Sequence, residues 1–284
     1  MELKLFKPLW GHQGTIARAA QQVVARGFHG IEGPFPTGPE EARRFKETLA
    51  ESDLLYIGEI STTGFATPAP GSTVTDHLDA FERLLAGGLD AKPLFFTAMA
   101  GSDLWTFAEN LDFLGRACEI ARRYNARVGF ETHRSRSFFH PIVTRDLLHE
   151  LPSIELTIDF SHWCAVTERL VMDELPDILA LCARRVLHIH PRIGYDQGPQ
   201  VPDPRAPEYE PAVRAHFAWW RALWEGQRAR GFQVVTMTPE FGPDGYLHLE
   251  PFTGRPVADL EELNTWTGLQ LRQEFHKLYP AGPE

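Results

Sequence analysis

Two apolar segments near the middle of the chain each end in a carboxylate: Val128-Gly129-Phe130-Glu131 and Leu156-Thr157-Ile158-Asp159. Two later segments, 186–190 and 234–240, end in a similar way, in His190 and Glu240. A charge at the end of a buried strand is unfavourable unless it has a partner or binds a metal. The four segments therefore predict successive strands that carry chemically active side chains at their carboxyl ends.

The rest of the chain repeats this alternation of strand and helix. Strands are predicted over residues 3–9, 28–31, 54–60, 93–97, 128–131, 155–159, 186–190 and 234–238. Helices are predicted over residues 15–26, 39–51, 75–85, 104–124, 143–150, 172–182, 211–230 and 259–278. Eight strand–helix units in 284 residues indicate an α/β fold, a (β/α)8 TIM barrel that forms a single domain over residues 1–284.

An open, doubly wound sheet would show the same alternation. The commonest dinucleotide-binding form of that fold has a Gly-x-Gly-x-x-Gly motif after its first strand. Here the first strand leads into Trp10-Gly11-His12-Gln13-Gly14 instead, and no low-complexity linker divides the chain. The barrel is therefore the favoured architecture.

Composition and charge argue against several classes of protein. A formal net charge of −10 and an isoelectric point near 5.7 argue against a nucleic-acid partner, which would require many phosphates to be neutralised. No segment approaches the roughly 18 apolar residues of a membrane span. The N-terminus is not a signal peptide, and three widely spaced cysteines are typical of a reduced compartment. We therefore expect a cytoplasmic protein without a membrane partner.

The strand ends predict a metal site. In a TIM barrel the carboxyl ends of the strands meet at one mouth, so Glu131, Asp159, His190 and Glu240 should converge there. Three carboxylates and one imidazole are a hard ligand set that suits Mn²⁺ or Mg²⁺ and also admits Co²⁺ or Zn²⁺. Each residue alone would more often be a polar strand end paired with an arginine. Four on consecutive strands favour one divalent metal per chain.

The alternation of side chains along a strand adds two histidines to this group. His188 shares a face with His190, so either imidazole is a candidate ligand, and His190 is preferred because it lies nearer the strand's exit. His188 then either lines the substrate pocket or is a core histidine. His133 shares the inward face of Glu131 and is a candidate substrate contact.

Other polar residues close to the strand ends are further candidates for substrate binding. His162 follows Asp159 by three residues, in the next loop, where it can bind a substrate oxygen or a ligand carboxylate. Arg192 is either a clamp for a hydroxyl, carboxylate or phosphate, or an exposed loop arginine. Trp10 and Glu32 follow the first two strands and either line the pocket or have a packing role.

The pattern Phe-Glu131-Thr-His, Asp159-Phe-Ser-His162, His188-Ile-His190 and Pro-Glu240-Phe resembles the xylose-isomerase-like TIM-barrel superfamily of sugar isomerases and epimerases. In its ketohexose 3-epimerase and hydroxypyruvate isomerase branch, the matching Glu, Asp, His and Glu bind a divalent metal, usually Mn²⁺. The resemblance implies that Glu131 and Glu240 are also the acid/base pair and that His162 contacts the substrate. It also implies a small, sugar-like substrate and admits a homo-oligomer.

This resemblance implies proton transfer beside a carbonyl, through an enediolate that the metal stabilises. Return of the proton to the same carbon gives epimerisation, and return to the neighbouring carbon gives isomerisation. Other branches dehydrate inososes or dehydroshikimate, or cleave bonds beside a carbonyl, so a dehydratase or lyase is an alternative. A non-catalytic barrel that serves as a binding module is another.

The ends of the third and fourth strands distinguish this sequence from the DNA-repair enzymes of the same superfamily. The AP endonucleases require histidines on the third and fourth strands, which here end in Gly58-Glu59-Ile60-Ser61 and Thr97-Ala98-Met99-Ala100. This difference argues against a role in DNA repair. The long loop 193–205 and the arginine-containing loop 134–139 depart from the epimerase pattern and predict a remodelled substrate pocket.

Overall fold

A computed structural model describes residues 1–243 and 245–280. Within these residues eight parallel strands are hydrogen-bonded in chain order and close into a barrel. The strands are β1 (Glu2–Pro8), β2 (Gly30–Gly33), β3 (Leu55–Ser61), β4 (Phe96–Met99), β5 (Val128–Glu131), β6 (Glu155–Ile158), β7 (Val186–Ile189) and β8 (Val234–Met237). The predicted (β/α)8 barrel is confirmed.

Helices surround the barrel. They are α1 (Ile16–Ala25), α2 (Pro39–Glu51), α3 (Val74–Gly88), α4 (Phe107–Arg123), α5 (Pro141–Glu150), α6 (Ser161–Thr167), α7 (Pro176–Ala183), α8 (Glu210–Ala229) and α9 (Leu260–Leu278). Short 3-10 turns cover Leu89–Ala91, Val171–Asp173 and Pro207–Tyr209. No helix among the described residues has both the length and the apolar character of a membrane span.

Helix α4 begins later than the prediction of 104–124 because Thr106 caps it. The Thr106 hydroxyl accepts a hydrogen bond from the Glu109 backbone N–H at 3.3 Å, and the Glu109 carboxylate accepts one from the Thr106 N–H at 2.8 Å. This reciprocal capping box satisfies amide groups that would otherwise lack partners, and it fixes the first helical residue at Phe107.

The helix predicted over 172–182 is wrong in its first part. Residues Val171–Asp173 form a 3-10 turn, and α7 starts only at Pro176. The proline ring disfavours a helical conformation for the preceding residue, and Leu175 accordingly has φ −124° and ψ 57°. The sequence also gave no indication of α6, which starts two residues after Asp159.

Two strands lie further along the chain than predicted. Strand β2 covers Gly30–Gly33 rather than 28–31, since a left-handed Gly27 at φ +64° first turns the chain out of α1. Strand β4 covers Phe96–Met99 rather than 93–97. Pro93, at the start of the predicted segment, has no N–H to donate to a neighbouring strand. The shift of β2 places Glu32 within the strand rather than after it.

The core has an outer layer and an inner layer. Trp219, Trp220 and Trp224 of α8 lie at helical spacing and are buried in the outer layer. Inside the barrel, Phe6, Ile57, Phe95 and Leu187 form a separate apolar cluster. His188 packs against two of its rings, so polar side chains begin at that level and continue to the barrel mouth.

Candidate metal centre at the barrel mouth

Four side chains from the ends of β5, β6, β7 and β8 converge: Glu131, Asp159, His190 and Glu240. Each offers one ligand atom, and these atoms all lie within 4.8 Å of one another. Glu131 is the last residue of β5, and Asp159 and His190 directly follow β6 and β7. Parallel strands of a barrel end at the same mouth, which is why residues so far apart in sequence meet.

The distances within this group suit one metal ion. His190 Nδ1 lies 3.3 Å from Glu131 Oε1 and 3.2 Å from Glu240 Oε2. Two ligand atoms at about 2.1 Å from a shared cation, at octahedral or tetrahedral angles, are separated by roughly 3.0–3.4 Å. These three side chains therefore already stand at the separation that joint coordination requires.

Asp159 is held from two sides. One carboxylate oxygen accepts hydrogen bonds from the backbone N–H of Ser161, at 2.9 Å, and from its hydroxyl. The other oxygen forms an ion pair with the Arg192 guanidinium. Burial raises the pKa of Asp159, although the Arg192 charge opposes that shift. The contacts fix the orientation of the carboxylate before any ligand binds.

Arg192 is a buried residue at the centre of the site, not an exposed loop arginine, with only 1% of its surface accessible. Its guanidinium donates to Ser161 Oγ at 3.1 Å and to His162 Nε2 at 2.7 Å, and lies 3.8 Å from Glu240 Oε2. The rings of Trp10 and Tyr246 lie over it, with centroids 5.6 and 4.7 Å away. Arg192 thus joins the carboxylates to the aromatic wall of the site.

The rings of His133 and His162 are in contact, with centroids 3.9 Å apart and planes tilted by 50° to each other. Burial, reinforced by neighbouring cationic or imidazole groups, holds the pKa of each well below its ordinary value, so both rings are neutral. His162 lies on α6, in contrast to its predicted loop position. Because its Nε2 accepts from Arg192, its proton is on Nδ1, an atom that has no hydrogen-bond partner among the described residues.

Glu32 and His188 lie deeper in the barrel than the four converging residues. Glu32 accepts hydrogen bonds from Nε2 of His188, at 3.1 Å, and from Nε2 of His190, at 3.0 Å. Burial favours a raised pKa for Glu32, but the two imidazoles outweigh that effect and hold the pKa well below its ordinary value. Glu32 is therefore an ionised carboxylate bound to both histidines of β7.

Glu59 is a functional candidate that the sequence analysis missed. It pairs in register with Thr97, lies on β3 and lines the same cavity as Glu131 and Glu240. Burial and the carboxylates of Glu240, Glu32 and Glu131 raise its pKa to about 8. The alternation of side chains along β3 is consistent with its position on the inward face of the barrel.

The cavity at the mouth is narrow, about 20 Å³, which is room for roughly one water molecule. From the predicted set it is lined by Trp10, Glu131, His133, Arg192 and Glu240. Phe65, Met99 and Tyr246 complete the wall, and the sequence analysis did not single them out.

The arginines predicted to remodel the pocket have different roles. Arg136 is fully buried and donates to the backbone carbonyls of Thr62 and Phe65, both at 2.6 Å, so it supports the loop after β3. Arg134 stacks on Tyr246, with its guanidinium carbon 4.9 Å from the ring centroid. Arg136 is structural, whereas Arg134 contacts the cavity wall.

The charges at the site are unbalanced. Five carboxyl groups lie at the site, and the guanidinium in ion-pair contact with two of them is that of Arg192. The five belong to Glu32, Glu59, Glu131, Asp159 and Glu240. Burial raises the pKa of Glu131 to about 7, against the opposing effect of His190. Burial disfavours the charged form of His190, but the surrounding carboxylates outweigh it and raise that pKa well above its ordinary value. Bound protons thus supply positive charge that a divalent cation would also supply.

A family model described as the xylose isomerase-like TIM barrel matches residues 20–207 of the sequence. The chain belongs to this family. The matched region contains Glu131, Asp159 and His190, and Glu240 follows it. The match confirms the superfamily that the strand-end motifs indicated. No curated protein sequence matches it.

Solved structures share the fold of this xylose isomerase-like barrel. An L-ribulose 3-epimerase structure has 14% sequence identity and a TM-score of 0.62, and the match covers 100% of both chains. The zinc-bound IOLI protein has 14% identity and a TM-score of 0.65, over 98% of this chain and 100% of that one. The probable 3-DHS dehydratase AsbF from Bacillus anthracis has 15% identity and a TM-score of 0.58, over 95% and 98%.

Proposed function

We propose that this protein is a divalent-metal-dependent isomerase or epimerase that acts on a sugar or sugar derivative. The observation that carries the proposal is the convergence of Glu131, Asp159, His190 and Glu240 at separations that suit one shared cation. The excess of carboxylates over cationic side chains favours a bound cation as well. Mn²⁺ is preferred for this ligand set, and Mg²⁺, Co²⁺ or Zn²⁺ are also compatible.

A metal ion held there would stabilise the negative charge that develops on a carbonyl oxygen when a neighbouring carbon loses its proton. Glu131 and Glu240 both line the cavity and are the proposed acid/base pair. One carboxylate accepts the proton from carbon, and the other returns a proton to the same carbon or to its neighbour.

The remaining polar groups are proposed to orient the substrate. His162 offers an unpartnered Nδ1–H, which is a buried donor suited to a substrate oxygen. Arg192 is already fixed by Asp159 and Ser161, so little side-chain entropy is lost when it binds a hydroxyl. Trp10 and Tyr246 provide aromatic surfaces for the apolar face of a sugar ring.

Dehydration is the second candidate, and Glu59 is the observation that favours it. Loss of water requires an acid that protonates the leaving hydroxyl, and a carboxyl group with a pKa of about 8 is mostly protonated at neutral pH. One of the solved structures that share this fold is that of a probable dehydratase. The same metal ligands would serve either reaction, so the fate of the substrate hydroxyl distinguishes them.

The test is metal analysis followed by an exchange assay. The purified protein is incubated with Mn²⁺, desalted and assayed for bound metal, with Glu240→Gln as the control variant. Keto-sugars are then supplied in heavy water. We expect about one metal per chain, weakened in the control, and deuterium at the carbon beside the carbonyl.

The other outcomes would favour a different function or contradict the proposed one. A product that has lost water would favour the dehydratase. Metal binding without exchange or turnover across a broad panel of keto-sugars would favour a binding module. Absence of metal binding by the wild-type protein would overturn the proposed function.

A further inference from the structure

Glu32 of β2 connects the two histidines of β7. Its carboxylate is only 3% exposed, and its two oxygens have different partners. Oε1 lies 3.0 Å from Nε2 of His190, and Oε2 lies 3.1 Å from Nε2 of His188. An ionised carboxylate accepts hydrogen bonds and donates none. Both imidazoles must therefore present an N–H at Nε2.

The contact with Glu32 determines which face of His190 is free to bind a metal. A neutral imidazole with its proton on Nε2 has its lone pair on Nδ1. Nδ1 is the nitrogen that faces Glu131 Oε1 and Glu240 Oε2, at 3.3 and 3.2 Å. If the proton were on Nδ1 instead, the lone pair would point at the Glu32 carboxylate, away from the proposed metal.

We propose that Glu32 is a positioning residue that fixes His190 as an Nδ1 metal ligand. The proposal rests on the metal site of the proposed function. Glu32 does not line the cavity, so its effect passes through His190 rather than through the substrate. Outer hydrogen bonds of this kind typically change metal affinity by about 10–100-fold when they are removed.

His188 holds Glu32 in the required orientation. Its Nε2 contacts Glu32 Oε2 and lies 3.0 Å from Thr238 Oγ1, and its Nδ1 lies 2.7 Å from Thr236 Oγ1. All these atoms are buried inside the barrel, between its apolar cluster and its mouth. The two threonines of the β8 segment, His188 and Glu32 thus form one continuous chain of contacts that ends at His190.

The experiment compares Mn²⁺ affinity by calorimetry for the wild type, Glu32→Gln and Glu59→Gln. A glutamine at position 32 keeps the size of the side chain but provides only one acceptor oxygen for two donors. Glu59 is a matched control because it lies on the neighbouring strand, lines the cavity and bonds neither histidine. We expect Glu32→Gln to weaken Mn²⁺ binding about tenfold or more, with an unchanged circular dichroism spectrum. Glu59→Gln should weaken it much less.

Equal weakening in the two variants would overturn the inference, since it would indicate a general effect of replacing a carboxyl group beside the site. Unchanged affinity in Glu32→Gln would overturn it too. Neither result would affect the proposed function, whereas failure of the wild type to bind Mn²⁺ would overturn both.

The nitrogen-15 NMR spectrum of the zinc-loaded wild type tests the tautomer without a mutation, in case Glu32→Gln does not fold. A proton on His190 Nε2 with Nδ1 metal-bound supports the inference, and the reverse pattern overturns it.

Discussion

The guanidinium of Arg192 lies directly against the carboxylate of Asp159, and both side chains are almost completely buried. The pair therefore neutralises one ligand of the proposed metal site from within the protein. Removal of one partner of a buried ion pair is costly because it leaves an uncompensated charge in a poorly solvated place. In this site a metal ion would offset part of that cost.

The first prediction concerns stability without this guanidinium. We expect Arg192→Met to lower the free energy of unfolding of the metal-free protein by about 3–5 kcal/mol. Urea unfolding measures the change, and saturating Mn²⁺ should reduce it. Arg205→Met is the control because Arg205 forms a partly exposed pair with Asp203, where about 0–1 kcal/mol is typical. Equal losses in the two variants would contradict the prediction.

The second prediction concerns pH. In the metal-free protein the pKa of Glu59 is raised to about 8 and that of Glu131 to about 7, and the pKa of His190 is raised well above its ordinary value. Between about pH 7.5 and 8.5 these groups hold more protons in the folded than in the unfolded state, so folding stability falls as the pH rises. Thermal unfolding across this range measures the slope.

The histidines with lowered pKa values act in the opposite direction at lower pH. Burial lowers the pKa of several histidines, including His133, His162, His188, His77 and His216, so these groups gain protons on unfolding below about pH 7.5. Saturating Mn²⁺ should flatten or reverse the slope above about pH 7.5 because the cation displaces the protons. A metal-free protein that became more stable between about pH 7.5 and 8.5 would exclude this protonation scheme.

The third prediction follows from the same excess of carboxylates. We expect Mn²⁺ binding at pH 7 to release on the order of one to two protons per site, mainly from His190 and Glu131. Calorimetry in buffers of different ionisation enthalpy counts them. Glu131→Gln should release fewer protons, whereas substitution of the exposed Glu47 on α2 should not change the number. Binding enthalpy that is independent of the buffer would rule out displacement of protons by the metal.

Much of the fold could be predicted from the sequence because the patterns that indicate strands and helices are local. The four strand ends that carry Glu131, Asp159, His190 and Glu240 followed from apolar segments that stop at a charge, and barrel geometry brought them together. The first residues of the helices were harder to predict because each depends on a single position. Thr106 caps α4 through hydrogen bonds, and the ring of Pro176 disfavours a helical conformation before α7.

The rest of the site depends on tertiary contacts that no local pattern encodes. The burial of Arg192 becomes visible only when Asp159 and the two aromatic rings are in place. Tyr246 reaches the cavity from a loop without periodicity. Glu59 shows its raised pKa only beside carboxylates from other strands.

The fourth prediction concerns the aromatic wall. A Cβ atom added at Gly242 would lie 2.0 Å from the Trp10 ring, so one of the two must move. The backbone at Gly242 is fixed by Gln200, which accepts from its N–H at 2.8 Å and donates to its carbonyl at 3.2 Å. The Trp10 ring should therefore shift, and with it the cavity wall that it forms.

We expect Gly242→Ala to raise KM about tenfold, which corresponds to 1.4 kcal/mol, while Mn²⁺ affinity remains unchanged. We expect the metal ligands to stay in place because the three atoms nearest to the added methyl group all belong to Trp10. Gly87→Ala on α3 is the control, since a methyl group there has no neighbour within 4 Å and alanine favours a helix. Unchanged KM together with weakened Mn²⁺ binding in Gly242→Ala would show that this wall supports the metal ligands rather than the substrate.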